Sequence, residues 1–179
     1  MTSFSDLEID EMIEGVPVTH FSKGEQFLRQ GDKPSDSYYV IKGCVRQLAY
    51  DENGKEVTLN FFTEEEDINL LSFSDESGFS RYALECLEET TLVVCSDSHG
   101  GEAESPDIEN MKRIFFEKQF VTMQNSFTDF KLQKPAERFE AIMKSRPDLV
   151  DRVPQNIMAS YLAITPETFS RFKKKFKSS

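Results

Sequence analysis

The spacing of the apolar residues changes once along this chain, and the change restricts the folds open to it. Residues 17–96 contain short apolar runs, whereas the spacing after the linker "HGGEAESPD" (residues 99–107) is helical. Short strands divided by turn signals are typical of a roll or a sandwich. The turn signals are Gly24, Gly31-Asp32, Gly43 and Asn53-Gly54. We therefore expect an α+β chain with antiparallel β-structure first.

The first helical stretch carries a heptad seam of apolar side chains. Its intervals are four, three, four and three residues, at Phe116, Phe120, Met123, Phe127 and Phe130. A seam of this kind belongs to a helix that packs lengthwise against another. The helix could dock on its own β-part or pair with its copy in a second subunit. Because five consecutive seam positions all hold apolar residues, pairing with a second subunit is favoured. These residues are therefore predicted to form a homodimer interface.

Residues 155–176 have the pattern of a helix-turn-helix. Two steeply crossing helices need a small residue where they touch, and Ala159 lies one turn into the first helix. Apolar residues flank the turn, and the second helix carries an apolar stripe at helical spacing. The flanking residues are Leu162 and Ile164, and the stripe is Phe169, Phe172 and Phe176.

The start of the second helix is marked by Thr165, a good N-cap, and by Pro166, which suits the first helical position. The turn position that usually holds glycine is Ala163 here. If Ala163 must adopt the left-handed conformation, the cost is of order 1 kcal/mol, which the unit can tolerate.

The opposite face of the second helix has side chains that suit DNA. Arginine can donate two hydrogen bonds to guanine, glutamate can accept one from cytosine, and the lysines at 173, 174, 175 and 177 suit phosphates. A charged helix face alone is more often solvated surface, but the helix-turn-helix pattern around it favours DNA binding. The predicted DNA-binding residues are Thr165, Pro166, Glu167, Thr168, Ser170, Arg171, Lys174 and Lys175.

The charge distribution bears on this prediction in both directions. The chain has a net charge of −11 and a pI near 4.7, which disfavours contact with nucleic acid. Residues 152–179, however, contain six basic residues and one acidic residue, a net charge of +5 that leaves −16 for residues 1–151. The sequence thus predicts an acidic body with a basic tip.

Taken together, a β-roll, a long helix and "RVPQNIMASYLAITPETFSRFKKKF" resemble the Crp–Fnr (catabolite-activator-like) family of bacterial transcription regulators. In the β-part, "GEQFLRQGDKPSDSYYVIKGCVRQ" is similar to the opening strands of that family. The resemblance implies a β-roll of the cyclic nucleotide-binding type in residues 1–105, a long dimerisation helix in 106–133 and a helix-turn-helix domain in 134–179. It also implies a homodimer on a two-fold site in double-stranded DNA, with base contacts from Glu167 and Arg171.

The chain departs from the family pattern in three places. Pro166 stands where the family commonly has a basic residue, and the sequence stops at Ser179, without the full wing that usually follows the recognition helix. In the effector region, the ribose-binding Gly-Glu pair is replaced by Asn69-Leu70. The phosphate-binding arginine is represented only by Arg81, one place out of register and followed by Tyr82. We therefore expect that cyclic AMP is not the effector, and that the effector is another small molecule or none.

Other functions have weaker support in the sequence. Of the two histidines, His99 lies in the Gly-rich linker and His20 has no neighbouring acid or nucleophile that suggests a triad. The stretch "TEEED" (residues 63–67) is more typical of a solvated turn than of a metal site, so neither an enzyme nor a cofactor is expected. The stretch "MTSFSDLEIDEMIEG" is acidic where a signal peptide would be basic, and no apolar run approaches the roughly 20 residues of a membrane span, so a cytoplasmic protein is expected. The alternative that stays open is a ligand-sensing or protein-interaction module whose helix-turn-helix no longer binds DNA.

Overall fold

The computed structural model describes residues 17–34, 36–69, 74–96 and 106–177. The chain separates into two units, residues 1–98 and 99–179. The first unit contains the predicted β-structure and the second contains the predicted helices. The finer division at residues 105 and 133 stays a prediction.

The described part of the first unit contains eight strands, and all of their pairings are antiparallel. They form two four-stranded sheets, in the orders β1-β8-β3-β6 and β2-β7-β4-β5. The predicted antiparallel β-roll is confirmed. The strands are β1 (Val18–Phe21), β2 (Gln26–Leu28), β3 (Asp36–Lys42), β4 (Val45–Tyr50), β5 (Glu56–Phe62), β6 (Asp67–Asn69), β7 (Ala83–Cys86) and β8 (Thr90–Ser96).

The hairpin between β4 and β5 forms at the predicted Asn-Gly turn. Gly54 has a φ of +75°, and the Asp51 carboxylate accepts hydrogen bonds from the amides of Asn53 and Lys55, both at 2.9 Å. The side chain of an aspartate at the start of a turn thus satisfies the amides that the ladder leaves unpaired.

The core of the β-unit is built from both sheets. Leu28, Val45, Leu84 and Cys86 come from one sheet, and Val40, Ile68 and Leu92 from the other. Beside this core, the backbone of Gly43 approaches that of Thr90 closely. With a φ of +116°, and with Thr90 Oγ1 only 2.4 Å from where a Cβ would stand, position 43 accepts glycine alone.

The described part of the second unit consists of five helices. A proline opens each of α1, α2, α3 and α5, because a residue without an N–H loses nothing in the first turn. The described helices are α1 (Pro106–Leu132), α2 (Pro135–Ser145), α3 (Pro147–Arg152), α4 (Gln155–Tyr161) and α5 (Pro166–Lys177).

The first of these helices begins at Pro106, inside the stretch that the sequence indicates as a linker. Pro106 and Asp107 belong to α1 and not to the predicted linker, whose other residues lie outside the described part of the chain. Among the described helices, none combines the length and the apolar character that crossing a membrane requires. The absence of a full wing stays a prediction.

Candidate nucleic-acid interface

The N-terminus of α5 is capped as predicted. The Thr168 amide donates a hydrogen bond to Thr165 Oγ1 at 3.2 Å, and the Phe169 amide donates to the Thr165 carbonyl at 3.0 Å. Pro166 is the first helical residue. The predicted N-cap at Thr165 is therefore confirmed, and the cap fixes the residue at which the polar face of α5 begins.

The apolar face of α5 packs against one ring of α2. The ring centroid of Phe139 lies 5.4 Å from that of Phe169, 5.6 Å from that of Phe172 and 6.1 Å from that of Phe176. Phe139 and Phe169 are buried, whereas Phe176 is 36% exposed. The predicted inward stripe is thus present. The side chains of the stripe become more exposed toward the end of the helix.

The turn between α4 and α5 has the geometry of a helix-turn-helix. Ala159 is fully buried, as a steep crossing requires, and the Ile164 amide donates to its carbonyl at 3.0 Å. Ala163 has a φ of +54°, so the residue at the usual glycine position does adopt the left-handed conformation. Its amide donates to the Ser160 carbonyl at 3.0 Å, which holds the strained residue in place.

The outer face of α5 forms a shallow groove, which we call the α5 groove. It is lined by Pro166, Glu167, Ser170, Arg171 and Lys174. All but Ser170 are exposed, and Ser170 is half-buried. The guanidinium carbon of Arg171 lies 5.9 Å from the centroid of the Phe172 ring, close enough for the ring face to attract the cation.

Two further predicted DNA-binding residues lie beside this groove. Thr168 is half-buried and its hydroxyl shares a hydrogen bond of 3.2 Å with Thr165 Oγ1, so it belongs to the cap. Lys175 is exposed. Contact of any of these residues with DNA stays a prediction.

The carboxylate of Glu167 is stabilised in its charged form. Its pKa is lowered first by the backbone amide of Glu167 and then by the hydroxyl of Thr165, while a smaller desolvation effect opposes them. A carboxylate beside the exposed amides of a helix N-terminus gains in this way. Glu167 is therefore an acceptor, and not a donor, at neutral pH.

One lysine of the basic run is used differently from the prediction. Lys173 Nζ lies 3.2 Å from Asp151 Oδ1, and the Lys173 side chain is only 17% exposed. The pair joins α5 to α3. Lys173 is thus part of the packing of the unit, a role that the sequence did not predict. The side chain of Lys177 lies outside the described residues.

Sequence reasoning missed Arg138 on α2. Its Nη2 donates a hydrogen bond to the carbonyl of Leu162, in the turn before α5, at 3.0 Å. Its Nη1 donates to the carbonyls of Phe130 and Gln133, at 3.2 and 3.0 Å. An arginine at the fourth position of a helix is unremarkable in a sequence, and no spacing pattern points to these partners.

The predicted dimer seam lies on an exposed face of α1. The exposed fractions are 56% for Phe120, 62% for Met123, 62% for Phe127 and 42% for Phe130. The side chain of Phe116 lies outside the described residues. Apolar side chains exposed in series along one helix are typical of an interaction surface. Homodimer formation through them stays a prediction.

The effector-pocket candidates fall on two sheets. Asn69 ends β6 and is opposite Ser37, whereas Arg81 and Tyr82 directly precede β7. Leu70 lies outside the described residues. Tyr82 is half-buried against the β-unit core, and its amide donates to Ser80 Oγ at 3.2 Å. That these residues share one pocket stays a prediction.

Arg81 itself is exposed and lies near Asp75. The pKa of Asp75 is lowered mainly by hydrogen bonds from Ser77 and, least of all, by the charge of Arg81. In the described residues there is no cluster of His, Cys, Asp and Glu that could hold a metal ion. His20 shares a hydrogen bond of 3.0 Å with the hydroxyl of Thr91.

Comparison with known proteins identifies the architecture. Residues 18–99 match the family model of the cyclic nucleotide-binding domain. FixK2 from Bradyrhizobium japonicum is similar with a TM-score of 0.72 and 17% identity, over 91% of this chain and 85% of that one. The c-di-GMP responsive global regulator CLP from Xanthomonas campestris is similar with a TM-score of 0.68 and 17% identity, over 97% and 92%.

A third solved structure is similar to this chain over a comparable length. TTHA1359 from Thermus thermophilus, a transcriptional regulator of the CRP/FNR family, is similar with a TM-score of 0.66 and 16% identity, over 90% of this chain and 86% of that one. The chain has the Crp–Fnr fold. The resemblance inferred from the sequence is confirmed at the level of the fold, and the β-roll matches the cyclic nucleotide-binding domain. No curated protein matches the chain at a significant level of sequence similarity.

Within the Crp–Fnr fold, the helix-turn-helix is α4, the turn that contains Ala163, and α5. At 16–17% identity the likeness establishes the arrangement of the elements, and it leaves the chemistry of the α5 groove to be read from this chain's own residues.

Proposed function

We propose that this protein is a sequence-specific, DNA-binding transcription regulator of the Crp–Fnr type that acts as a homodimer. The observation that carries the proposal is the division of α5 into two faces. Phe169 and Phe172 pack on α2, while Glu167, Arg171 and Lys174 line the exposed α5 groove. A helix held in this way presents base-reading side chains on a rigid support.

The residues of the α5 groove suit the edges of bases in the major groove. Arg171 can donate two parallel hydrogen bonds to O6 and N7 of guanine, and the ionised Glu167 can accept from N4 of cytosine. One bidentate pair of this kind discriminates between bases by about 1–3 kcal/mol. Lys174 and Lys175 would contact phosphates, which add affinity and fix the position of the helix without reading the sequence.

The homodimer is proposed from the exposed apolar face of α1. Pairing through Phe120, Met123, Phe127 and Phe130 would remove four large apolar side chains from water. A two-fold pair of recognition helices fits successive major grooves when their centres are about 34 Å apart. The proposal includes a cytoplasmic location in a bacterium, where such a regulator would reach genomic DNA. Catalysis is not part of the proposal.

Cyclic AMP is not the proposed effector. A cyclic nucleotide needs polar partners for its ribose and phosphate inside an otherwise apolar pocket. In this chain the candidate positions hold Asn69, Leu70 and an exposed Arg81. Another ligand could act by binding one arrangement of the dimer better than the other. Because CLP is c-di-GMP responsive, that nucleotide belongs in a ligand screen beside cyclic AMP.

Binding to DNA is tested by selecting a preferred duplex from a random pool and titrating it with salt in a gel-shift assay. The affinity should fall steeply with salt, and Arg171→Ala should remove the preference for the selected sequence. Arg29→Ala, which replaces an exposed arginine of the β-unit, is the matched control and should keep the preference. A pool that yields no preferred sequence would contradict the proposal.

The charge of the chain favours one alternative function. Residues 1–151 carry a net charge of −16, which opposes approach to a polyanion. A ligand-sensing or protein-interaction module with a helix-turn-helix that no longer binds DNA would show no salt-dependent binding to any duplex. The same titration therefore decides between the two functions.

A thermal-shift screen tests the effector. A ligand at 100 times its Kd stabilises a fold by about 2.7 kcal/mol, which is easily measured. Stabilisation by cyclic AMP would overturn the interpretation of the pocket, whereas stabilisation by c-di-GMP alone would support a different nucleotide chemistry.

A further inference from the structure

The side chain of Arg138 contacts two parts of the helical unit that are far apart in sequence. Nη1 donates to the carbonyls of Phe130 and Gln133, at the end of α1, and Nη2 donates to the carbonyl of Leu162, in the turn before α5. The guanidinium carbon also lies 4.5 Å from the centroid of the Phe130 ring. One cation thus meets the last residue of the apolar seam and the turn of the helix-turn-helix.

The chemistry of these contacts favours a rigid connection. The last carbonyls of a helix have no partner within that helix, so the end of α1 and the turn after α4 both offer free acceptors. A guanidinium group is planar and holds its N–H donors in a fixed fork. Three carbonyls bound to one such plane cannot move independently. A lysine ammonium, by contrast, is a point charge that imposes no common plane.

We propose that Arg138 is a positioning residue that holds the turn before α5 against the end of α1. In this way Arg138 sets the direction in which each subunit presents its recognition helix. The inference rests on the proposed function in one respect: the direction of α5 matters for DNA only if a dimer of this protein binds DNA. The connection within one chain does not depend on that function.

The proposal assigns two separate consequences to Arg138. Within a chain, loss of the guanidinium should widen the range of distances between α1 and α5. In the dimer, the same loss should weaken the preference for one spacing between half-sites, while each α5 groove still reads its own half-site. A residue that only stabilised the fold would lower the affinity for every spacing alike.

The first consequence is tested by spin-label distance measurements on the full chain. Labels are placed at the exposed positions Asn125 on α1 and Lys175 on α5, as Asn125→Cys and Lys175→Cys with the native cysteines replaced by alanine. Excess unlabelled chain keeps one labelled chain per dimer. We expect a narrow distance distribution for the otherwise native chain, and a broader one when Arg138→Met or Arg138→Lys is added.

The control variant is Met158→Ala, which destabilises the unit at a fully buried position of α4 and leaves in place the three carbonyls to which Arg138 donates. It should leave the distance distribution narrow at a temperature where the chain is folded. The proposal is overturned if Arg138→Met keeps the narrow distribution, or if Met158→Ala broadens it to the same extent.

The second consequence is tested with duplexes that carry two selected half-sites at different spacings. The wild-type protein should prefer one spacing and bind poorly when the half-sites are moved apart by about half a helical turn, roughly 5 base pairs. Arg138→Met should lose this discrimination and keep its affinity for a single half-site. A uniform loss of affinity at every spacing would assign Arg138 a structural role only and overturn the proposal.

The two experiments separate the failure of this inference from the failure of the proposed function. If no duplex is bound, the function fails, and the distance distributions still decide whether Arg138 connects α1 to the turn. If duplexes are bound with an unchanged spacing preference in Arg138→Met, the function stands and the positioning role fails.

Discussion

Lys173 Nζ lies 3.2 Å from Asp151 Oδ1, and this contact divides the basic run of α5 into two kinds of lysine. Lys173 is mostly buried and joins α5 to α3, whereas Lys174 is exposed and lines the α5 groove. A lysine that packs against another helix is poorly placed to neutralise a phosphate, so only a lysine that lines the α5 groove should contribute to the salt dependence of binding.

We therefore expect Lys174→Gln and Lys173→Gln to differ in a salt titration of DNA binding. The loss of one phosphate contact should reduce the slope of log K against log salt by about 0.9 for Lys174→Gln. Lys173→Gln should leave the slope unchanged. It should lower the stability of the unit by about 0.5 kcal/mol, since its partner Asp151 is 78% exposed. The measurement is a gel-shift titration at several salt concentrations, and equal slopes for the two variants would contradict it.

A second prediction concerns the strained turn at Ala163. Its φ of +54° is a conformation that glycine adopts without penalty and alanine does not. Ala163→Gly should therefore stabilise the helical unit by about 1 kcal/mol. Ala141→Gly is the matched control. Ala141 is exposed in the middle of α2, so its replacement by glycine should destabilise the helical unit by a similar amount.

The measurement is urea unfolding followed by circular dichroism at 222 nm. This wavelength reports mainly on helices, and the helices in the described part of the chain all belong to residues 106–177. The interpretation of the turn fails if the two variants shift the unfolding midpoint in the same direction.

The sequence was most informative where a local rule and the packing agree. The intervals between Phe169, Phe172 and Phe176, together with Thr165 and Pro166, were enough to find α5, its cap and its buried face. Each of these features depends on neighbours within one helix, which a spacing pattern records directly.

The sequence was least informative about polar side chains whose partners lie on another helix. Lys173 looks like its neighbours in the run, yet it faces Asp151 on α3 because of the way α5 packs. Arg138 has partners 8 and 24 residues away, at Phe130 and Leu162. Such pairs depend on the angle at which helices cross, and neither composition nor periodicity contains that angle.

A third prediction concerns a buried arginine in the β-unit. The Arg46 side chain is 6% exposed and is held between Glu85 on β7 and Glu56 on β5. Arg46 Nε lies 2.6 Å from Glu85 Oε2, and Nη2 donates to Glu56 Oε2. The side chain of Glu85 is 20% exposed and that of Glu56 is 47% exposed, so water can replace the second partner far more readily than the first.

Glu85→Gln should accordingly destabilise the β-unit more than Glu56→Gln. We expect a loss of about 2 kcal/mol for the first, because it leaves a buried cation with one half-exposed partner, and less than about 1 kcal/mol for the second. Thermal unfolding of the full chain, compared between these two isosteric variants, checks the order. Equal losses would show that the two carboxylates share the charge of Arg46 evenly.

The last prediction concerns alkaline pH and the thiol of Cys86. Its pKa is raised from 9.0 to about 11, mainly by burial in the core; a hydrogen bond with Thr90 opposes the shift, and the carboxylates of Glu25, Glu85 and Glu89 make smaller contributions that raise it. Between these two pH values the unfolded chain has lost the thiol proton and the folded chain retains it. The free energy of unfolding should therefore fall by about 2 kcal/mol as the pH rises from 9 to 11, and below pH 9 the contribution should be complete.

Tyr38 and Tyr39, whose pKa values are also raised by burial, contribute in the same direction, so the wild-type curve is compared with that of Cys86→Ala, which retains both tyrosines. The difference between the two free energies should shrink across this window, and a constant difference would contradict the assignment of the effect to Cys86.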